Sequence, residues 1–218
     1  MEENGDFGEL ELNHFQKDAL SELGNIASAH AVTSLAEMTG MIIDMEVPSV
    51  DVVPLTDMKH QIETERIGAG ILIGLEGSFS GHMQILFPKQ SALTLTDLLM
   101  GRMPGETMNI VSEMEESALK EIGNILASSF CDAIADFLQF SLLPSPPSFT
   151  FDLIDVVVGN AVAAVVAGSQ KDERTILFKC DFKDENENGL RGYIMLFPQK
   201  ESLKNILAML EAKVTYRG

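Results

Sequence analysis

The segment ALSELGNI at residues 19–26 returns as ALKEIGNI at 118–125, and this repetition limits the possible folds more than any other feature of the chain. The copies stand 99 positions apart, 19 against 118. The same spacing sets Leu35 on Ile134, Ala36 on Ala135, Glu37 on Asp136, and VPSVDVV (47–53) on PPSFTFD (146–152). Farther on, MQILFPKQSALTLTDLL (83–99) resembles YIMLFPQKESLKNILAML (193–210) at a spacing of 110. The second half is therefore expected to carry about eleven extra residues. The polar KDENENG (183–189) is expected among them, as a hairpin loop ending in Asn-Gly.

Each half reads as the same series of elements. A long helix comes first, at about 12–39 and 113–140, with apolar residues at helical spacing: Leu20, Leu23 and Ile26, then Leu119, Ile122 and Ile125. Gly40 is placed to close the first helix. A strand is predicted near 47–53 and near 148–154. A less regular segment follows at 55–66, matched at 155–168 by an Ala/Val-rich stretch that reads as helix. Strand pairs are predicted at 67–76 with 80–87 and at 174–182 with 190–197, and a closing helix after Pro88 and after Pro198. SLLPSPPS (141–148) reads as a Pro-stiffened turn, and GRMPGE (101–106) opens the linker between halves. The expected fold is α/β: one pseudo-twofold duplicated domain over 1–218, with two long helices packed on a six-stranded, largely antiparallel sheet. The repeats span about 12–101 and 113–211, behind an acidic tail at 1–11.

Composition removes several functions. The 218 residues carry a net charge of −18, which repels nucleic acid and anionic membrane surfaces. The charge fits a soluble protein that meets other proteins. The start, MEENGDFGEL, lacks the apolar core of a signal peptide, and Leu153 to Ala167 is too short to span a bilayer, so a cytoplasmic location without membrane insertion is expected. Cys131 and Cys180 stand outside any metal-ligand spacing and read as buried or half-buried free thiols. His14, His30, His60 and His82 also lack ligand spacing, so no metal is assigned. Met38, Met41 and Met45 read as core, with a partner groove as the alternative.

The repeated helix carries the chemistry. Asp18, Glu22 and Asn25 fall at i, i+4 and i+7, on one stripe about two turns long; Ser117, Glu121 and Asn124 form the same stripe in the second copy. Both stripes are offset from the apolar positions and should face water. A solvated face is the ordinary explanation for one such helix. Glu and Asn nevertheless recur at identical spacing while neighbours have drifted, such as Ser21 against Lys120 and His30 against Ser129. Gly24 and Gly123 precede the asparagines. In mid-helix a glycine costs about 1 kcal/mol relative to alanine, and its missing side chain allows a close approach, from within the protein or from a partner.

An asparagine amide is no base, but it can hold and orient water. Such help suffices where the leaving group is good, as in an acyl phosphate, because phosphoryl transfer depends mainly on positioning and charge stabilisation. The glutamine that orients water in small GTPases is analogous. A glutamate one turn earlier could pair with a partner's lysine. The chain has no phosphate-binding loop, so the substrate protein must supply most of the phosphate's charge partners.

These residues resemble the CheC/CheX/FliY family of chemotaxis phosphatases. Its motif, Asp/Ser-x3-Glu-x2-Asn-x22-Pro, is matched by Asp18, Glu22, Asn25 and Pro48, and again by Ser117, Glu121, Asn124 and Pro147. The resemblance runs from about 12 to 211, and CheC-type members are nearest in length and in carrying both motifs. Many of them follow the first asparagine with Ile-Gly-Ala-Gly. Here Ile26-Ala27-Ser28-Ala29 and Ile125-Leu126-Ala127-Ser128 stand instead.

The resemblance implies hydrolysis of the aspartyl phosphate of a CheY-type response regulator. It implies that Asn25 and Asn124 orient the attacking water and that Glu22 and Glu121 bind the regulator, through its active-site lysine. Asp18 and Ser117 would support, and Pro48 and Pro147 would shape the strand entry beside each helix. Mg2+ is expected on the regulator and no cofactor on this chain. CheD, a receptor-modifying deamidase, is a further implied partner. The competing reading is a non-catalytic adaptor that binds CheD or sequesters phosphorylated CheY.

Overall fold

The computed structural model describes residues 12–40, 43–62, 67–78, 80–110, 112–139, 141–166, 174–184, 189–199, 202 and 205–209. The acidic tail, Met41 and the tip of the 183–189 loop lie outside them. The first half runs α1 (His14–Thr39), β1 (Ile43–Pro54), a short 3-10 turn (Leu55–Asp57), α2 (Met58–Gln61), β2 (Ile67–Gly77), β3 (Gly81–Pro88) and α3 (Lys89–Leu99). The second runs α4 (Glu113–Leu138), β4 (Leu142–Pro144), β5 (Ser148–Leu153), α5 (Ile154–Val166), β6 (Arg174–Asp184) and β7 (Gly189–Pro198), followed by helical residues at 205–209.

The two long helices are delimited by the same local chemistry. Asn13 caps α1: its side chain accepts from Gln16 N at 2.9 Å, and Gln16 Oε1 accepts from Asn13 N at 3.0 Å. Ser112 and Glu115 form the same reciprocal pair at the start of α4, at 3.2 and 3.1 Å. Each pair satisfies two amides that no helical carbonyl can reach. At the other end Gly40 (φ 68°) and Gln139 (φ 59°) both turn left-handed, and their amides donate to Ala36 O and Ala135 O. Caps, helix and C-terminal turn all superimpose at the spacing of 99.

All strand pairings are antiparallel. The sheet order is β1-β6-β7-β3-β2-β4, with β5 also pairing β2. One row crosses the whole sheet as Val50, Phe178, Ile194, Ile85, Ile71 and Phe149. From either edge it crosses equivalent strands of the two repeats in the same order, and the pseudo-twofold axis passes between Ile194 and Ile85.

This row corrects the predicted repeat. Ile71 is matched by Phe178, 107 positions on, and Ile85 by Ile194, 109 positions on. The spacing of 110 suggested by the shared LFP is off by one, and a one-residue slip exchanges the faces of a strand. Phe87 accordingly packs under α1 and α4, whereas Phe197 packs on the opposite face. The rise from 99 to 107 falls between β5 and β6, where the 13-residue α5 stands in place of the four-residue α2. Only the last two positions fall in the 183–189 hairpin, so the hairpin is not the main site of insertion.

The edge strands begin earlier than predicted, and SLLPSPPS is less a turn than a broken strand. In β1, Glu46 pairs with Asp181 and Ser49 with Lys179, so three steps on one strand oppose two on the other. Opposite β2, Pro144 pairs with Leu75 and Ser148 with Leu72, a jump of four steps against three. Pro48 and Pro147 sit inside these two bulges. A residue without an N–H is tolerated at an edge where the ladder is already interrupted. The seventh strand is therefore the sixth one broken in two.

The layers follow from strand alternation. Ala69, Ile71, Ile73, Met83, Ile85, Phe87, Ile176, Phe178 and Cys180 face α1 and α4, with α3 residues Ala92 and Leu95 in the same core. Leu86, Leu177, Tyr193, Met195 and Phe197 face the opposite way, against Met58 of α2 and Val157 and Ala161 of α5. Gln84 Nε2 donates to Val157 O at 3.0 Å and ties α5 down. Met45 lies in the core as expected, whereas Met38 is exposed.

Candidate functional site

Each motif helix buries one stripe and shows another. On α1 the buried positions are Gln16, Ala19, Leu20, Leu23, Gly24, Ala27, Ser28, Ala31 and Leu35; Asp18, Glu22 and Asn25 lie outside that set and are exposed. On α4, Leu119, Ile122, Gly123, Leu126 and Ala127 are buried, Ser117 and Glu121 exposed, and Asn124 half-buried. The structure thus brings the three helical residues of each motif onto one accessible face, as the spacing predicts. Asp18 Oδ2 lies 2.7 Å from His14 Nδ1, one turn earlier on the same surface. The backbone oxygen of Asn25 accepts from Ser28 Oγ at 2.9 Å.

The glycines point away from that face. A Cβ on Gly24 would lie 3.1 Å from Val47 Cγ1 and 3.4 Å from Phe178 Cδ1. On Gly123 it would lie 2.6 Å from Ile71 Cγ2 and 2.9 Å from Ile71 Cβ. Both glycines therefore let the helix approach the sheet, and of the two approaches left open by the sequence it is the internal one that occurs. The gap they close fixes the height of the neighbouring asparagine above the sheet. Val47, which touches Gly24, is the residue before Pro48, so the bulge of the edge strand lies against the turn of α1 that presents Asn25. At Gly123 the nearest neighbour is Ile71 of β2, and the two sites are not packed identically.

The start of α4 is anchored by a polar cluster that the linker hides in sequence. The fully buried Asp97 accepts from Gly105 N at 2.7 Å and Thr107 N at 2.8 Å. Arg102 Nη1 donates to Thr107 Oγ1 at 2.8 Å and to Glu115 Oε1 at 3.0 Å. Glu115 belongs to the α4 capping pair, so the chain from α3 to α4 is tied down at three successive points. A lone aspartate at the end of an apolar helix gave no signal of this role.

The site offers carboxylate oxygens and an amide, with the Ser117 hydroxyl beside them in the second copy, and no thiol. Both thiols are buried. Burial, with Asp132 adding a smaller effect, pushes the Cys131 thiol up to about 12, and burial beside Asp181 raises that of Cys180. Neither forms a thiolate near neutral pH. Among the described residues no group of three or more His, Cys, Asp or Glu is disposed to hold a metal ion, and no helix is long and apolar enough to cross a membrane.

The model of the CheC-like family matches residues 15–51 and 114–150, which are the two motif helices with their edge strands. A CheY-P phosphatase CheC from Bacillus subtilis (strain 168) is 27% identical over 202 residues, 91% of this chain and 95% of that protein. The crystal structure of Thermotoga maritima FliY superimposes with a TM-score of 0.75 at 19% identity, over 93% of this chain and 98% of that one. CheX in the CheX–CheY–BeF3–Mg2+ complex from Borrelia burgdorferi matches with a TM-score of 0.50 at 19% identity, covering 81% of this chain and 98% of that chain. The chain is thus similar to the CheC-like family at both motif helices and their edge strands, and it shares its fold with Thermotoga maritima FliY.

Proposed function

We propose that this chain is a phosphatase for the aspartyl phosphate of a CheY-type response regulator, with one site on each motif helix. The observation that carries the reading is the recurrence of an exposed Glu and an Asn on one face of two helices whose other faces are locked to the sheet. The name of the Bacillus subtilis relative and the CheX–CheY complex among the fold neighbours support it.

In this reading Glu22 and Glu121 accept from a cation on the regulator and fix its approach. Asn25 and Asn124 reach the acyl phosphate. The amide oxygen accepts a hydrogen bond from a water, and the water's oxygen is held in line with the scissile bond. The water attacks phosphorus, the phosphorus–oxygen bond to the aspartate breaks, the aspartate leaves as a carboxylate, and the water's proton departs with the inorganic phosphate or to solvent. Mg2+ belongs to the regulator and spreads the charge of the transferring group. The rigid helix–sheet contact at Gly24 and Gly123 matters because positioning is the main contribution available to an amide.

The test is the decay of a phosphorylated CheY-type regulator with and without the protein, beside binding of the same regulator loaded with beryllofluoride. The reading predicts faster decay with wild type. It predicts that Glu22→Ala with Glu121→Ala weakens binding and slows decay together. Binding without any change in decay rate would favour an adaptor that sequesters the regulator.

A further inference from the structure

Two large apolar side chains stand where a solvated helix should have none. Phe15 is 61% exposed in the first turn of α1, and Met114 is 69% exposed in the first turn of α4. They are the same position in the two repeats, 99 residues apart. Among the large hydrophobic residues exposed in the described part of the chain, no other two are related this way: Met38 corresponds to the partly buried Phe137, and Leu143 to Asp44. Phe15 precedes Asp18, Glu22 and Asn25 by three, seven and ten positions, and Met114 precedes Ser117, Glu121 and Asn124 likewise. At about 100° per residue these offsets stay on one face, so each apolar side chain heads the motif stripe about 15 Å from its asparagine.

We propose that Phe15 and Met114 are the apolar anchors that seat the phosphorylated regulator on each motif helix, an inference that rests on the phosphatase reading. The regulator's phosphate site supplies charge and hydrogen bonds at the asparagine end. A second, dehydrated contact at the other end of the stripe fixes the angle at which the helix enters. The surroundings are those of a small interface core: an exposed apolar residue with a polar motif residue one turn on along the same face, Asp18 after Phe15 and Ser117 after Met114. The ring of His14 lies 6.3 Å from that of Phe15, tilted by 59°. Repetition argues for use, because an exposed apolar side chain contributes nothing to either helix and would drift to a polar one in at least one copy. The contacts are continuous with the Glu–Asn stripe, so the occupant is the protein that the stripe binds.

The test uses the full chain and a CheY-type regulator loaded with beryllofluoride, which reports affinity without turnover. Phe15→Ala with Met114→Ala should weaken binding roughly tenfold or more, the usual scale for truncating an interface anchor. The loss in the decay assay should fall on KM rather than kcat. Phe15→Leu should restore most of the affinity, and Met38→Ala, at the far end of α1, should leave it intact. The thermal midpoint should not move, since neither side chain is packed. Unchanged affinity in the double variant overturns the anchor, as does an effect confined to self-association of the chain. If wild type binds without speeding decay while the double variant binds poorly, the phosphatase reading fails and the anchor stands. Turnover by wild type with equally tight binding by the double variant sinks the anchor alone.

Discussion

Gly123 and Ile71 meet so closely that no other residue fits between α4 and β2: a Cβ on the glycine would stand 2.6 Å from Ile71 Cγ2. Ile71 lies in the transverse row at the middle of the sheet and is fully buried, so it has nowhere to move. Gly123→Ala should lower stability by about 1–3 kcal/mol through overpacking, outweighing the roughly 1 kcal/mol gained in helix propensity. Gly24→Ala meets Val47 at 3.1 Å, where a small shift of an edge strand suffices, and its net effect should be within about 1 kcal/mol of zero. Urea denaturation of the two variants checks the contrast. Equal effects would mean that the two helices sit on the sheet alike.

The buried carboxylate of Asp97 is the hinge of the inter-repeat linker. Asp97→Ala leaves the amides of Gly105 and Thr107 without their acceptor, and should cost about 2–4 kcal/mol, at one to two buried amides' worth of desolvation. The loss should appear as a lower denaturation midpoint. Because the same linker holds Glu115 through Arg102, amide exchange should quicken in the first turn of α4 and not in α1.

The two thiols set a limit at alkaline pH. Both have folded values raised by burial, so their contribution to stability is complete below the ordinary thiol value of 9.0. It is lost as pH rises, for Cys131 through about 12. Stability measured from pH 8 upward should fall from about pH 9 onward, and Cys131→Ser with Cys180→Ser should flatten that slope. At pH 7.5 a thiol reagent should label neither cysteine in the native chain and both after denaturation.

Much of this architecture was legible because the chain states it twice. The helices, the Gly40 terminus, the strand pairs and the exposed Glu–Asn stripes follow from periodicity and turn chemistry, which are local. What was missed depends on neighbours distant in sequence. The LFP match aligned Phe87 with Phe197, but only the ladder reveals that they face opposite sides. The direction of Gly24 and Gly123 could not be read from a helix alone, since a glycine marks a close approach without saying by what. Pro48 and Pro147 marked the strands yet concealed that those strands continue before them, because a bulge at a sheet edge accommodates a proline. Phe15 and Met114 stand where an amphipathic helix begins, and only the fold shows that both face outward.

The central claim is that the two asparagines orient the water that hydrolyses the regulator's aspartyl phosphate. The most direct measurement is the decay rate of a phosphorylated CheY-type regulator with wild type, Asn25→Ala, Asn124→Ala and the double variant, each at saturating concentration. Removal of one positioned group is expected to cost roughly 10²-fold or more at its own site. Each single variant should therefore retain the activity of the other site, and the double variant should fall to the spontaneous rate while still binding the beryllofluoride-loaded regulator. A double variant that accelerates decay as wild type does would contradict the account.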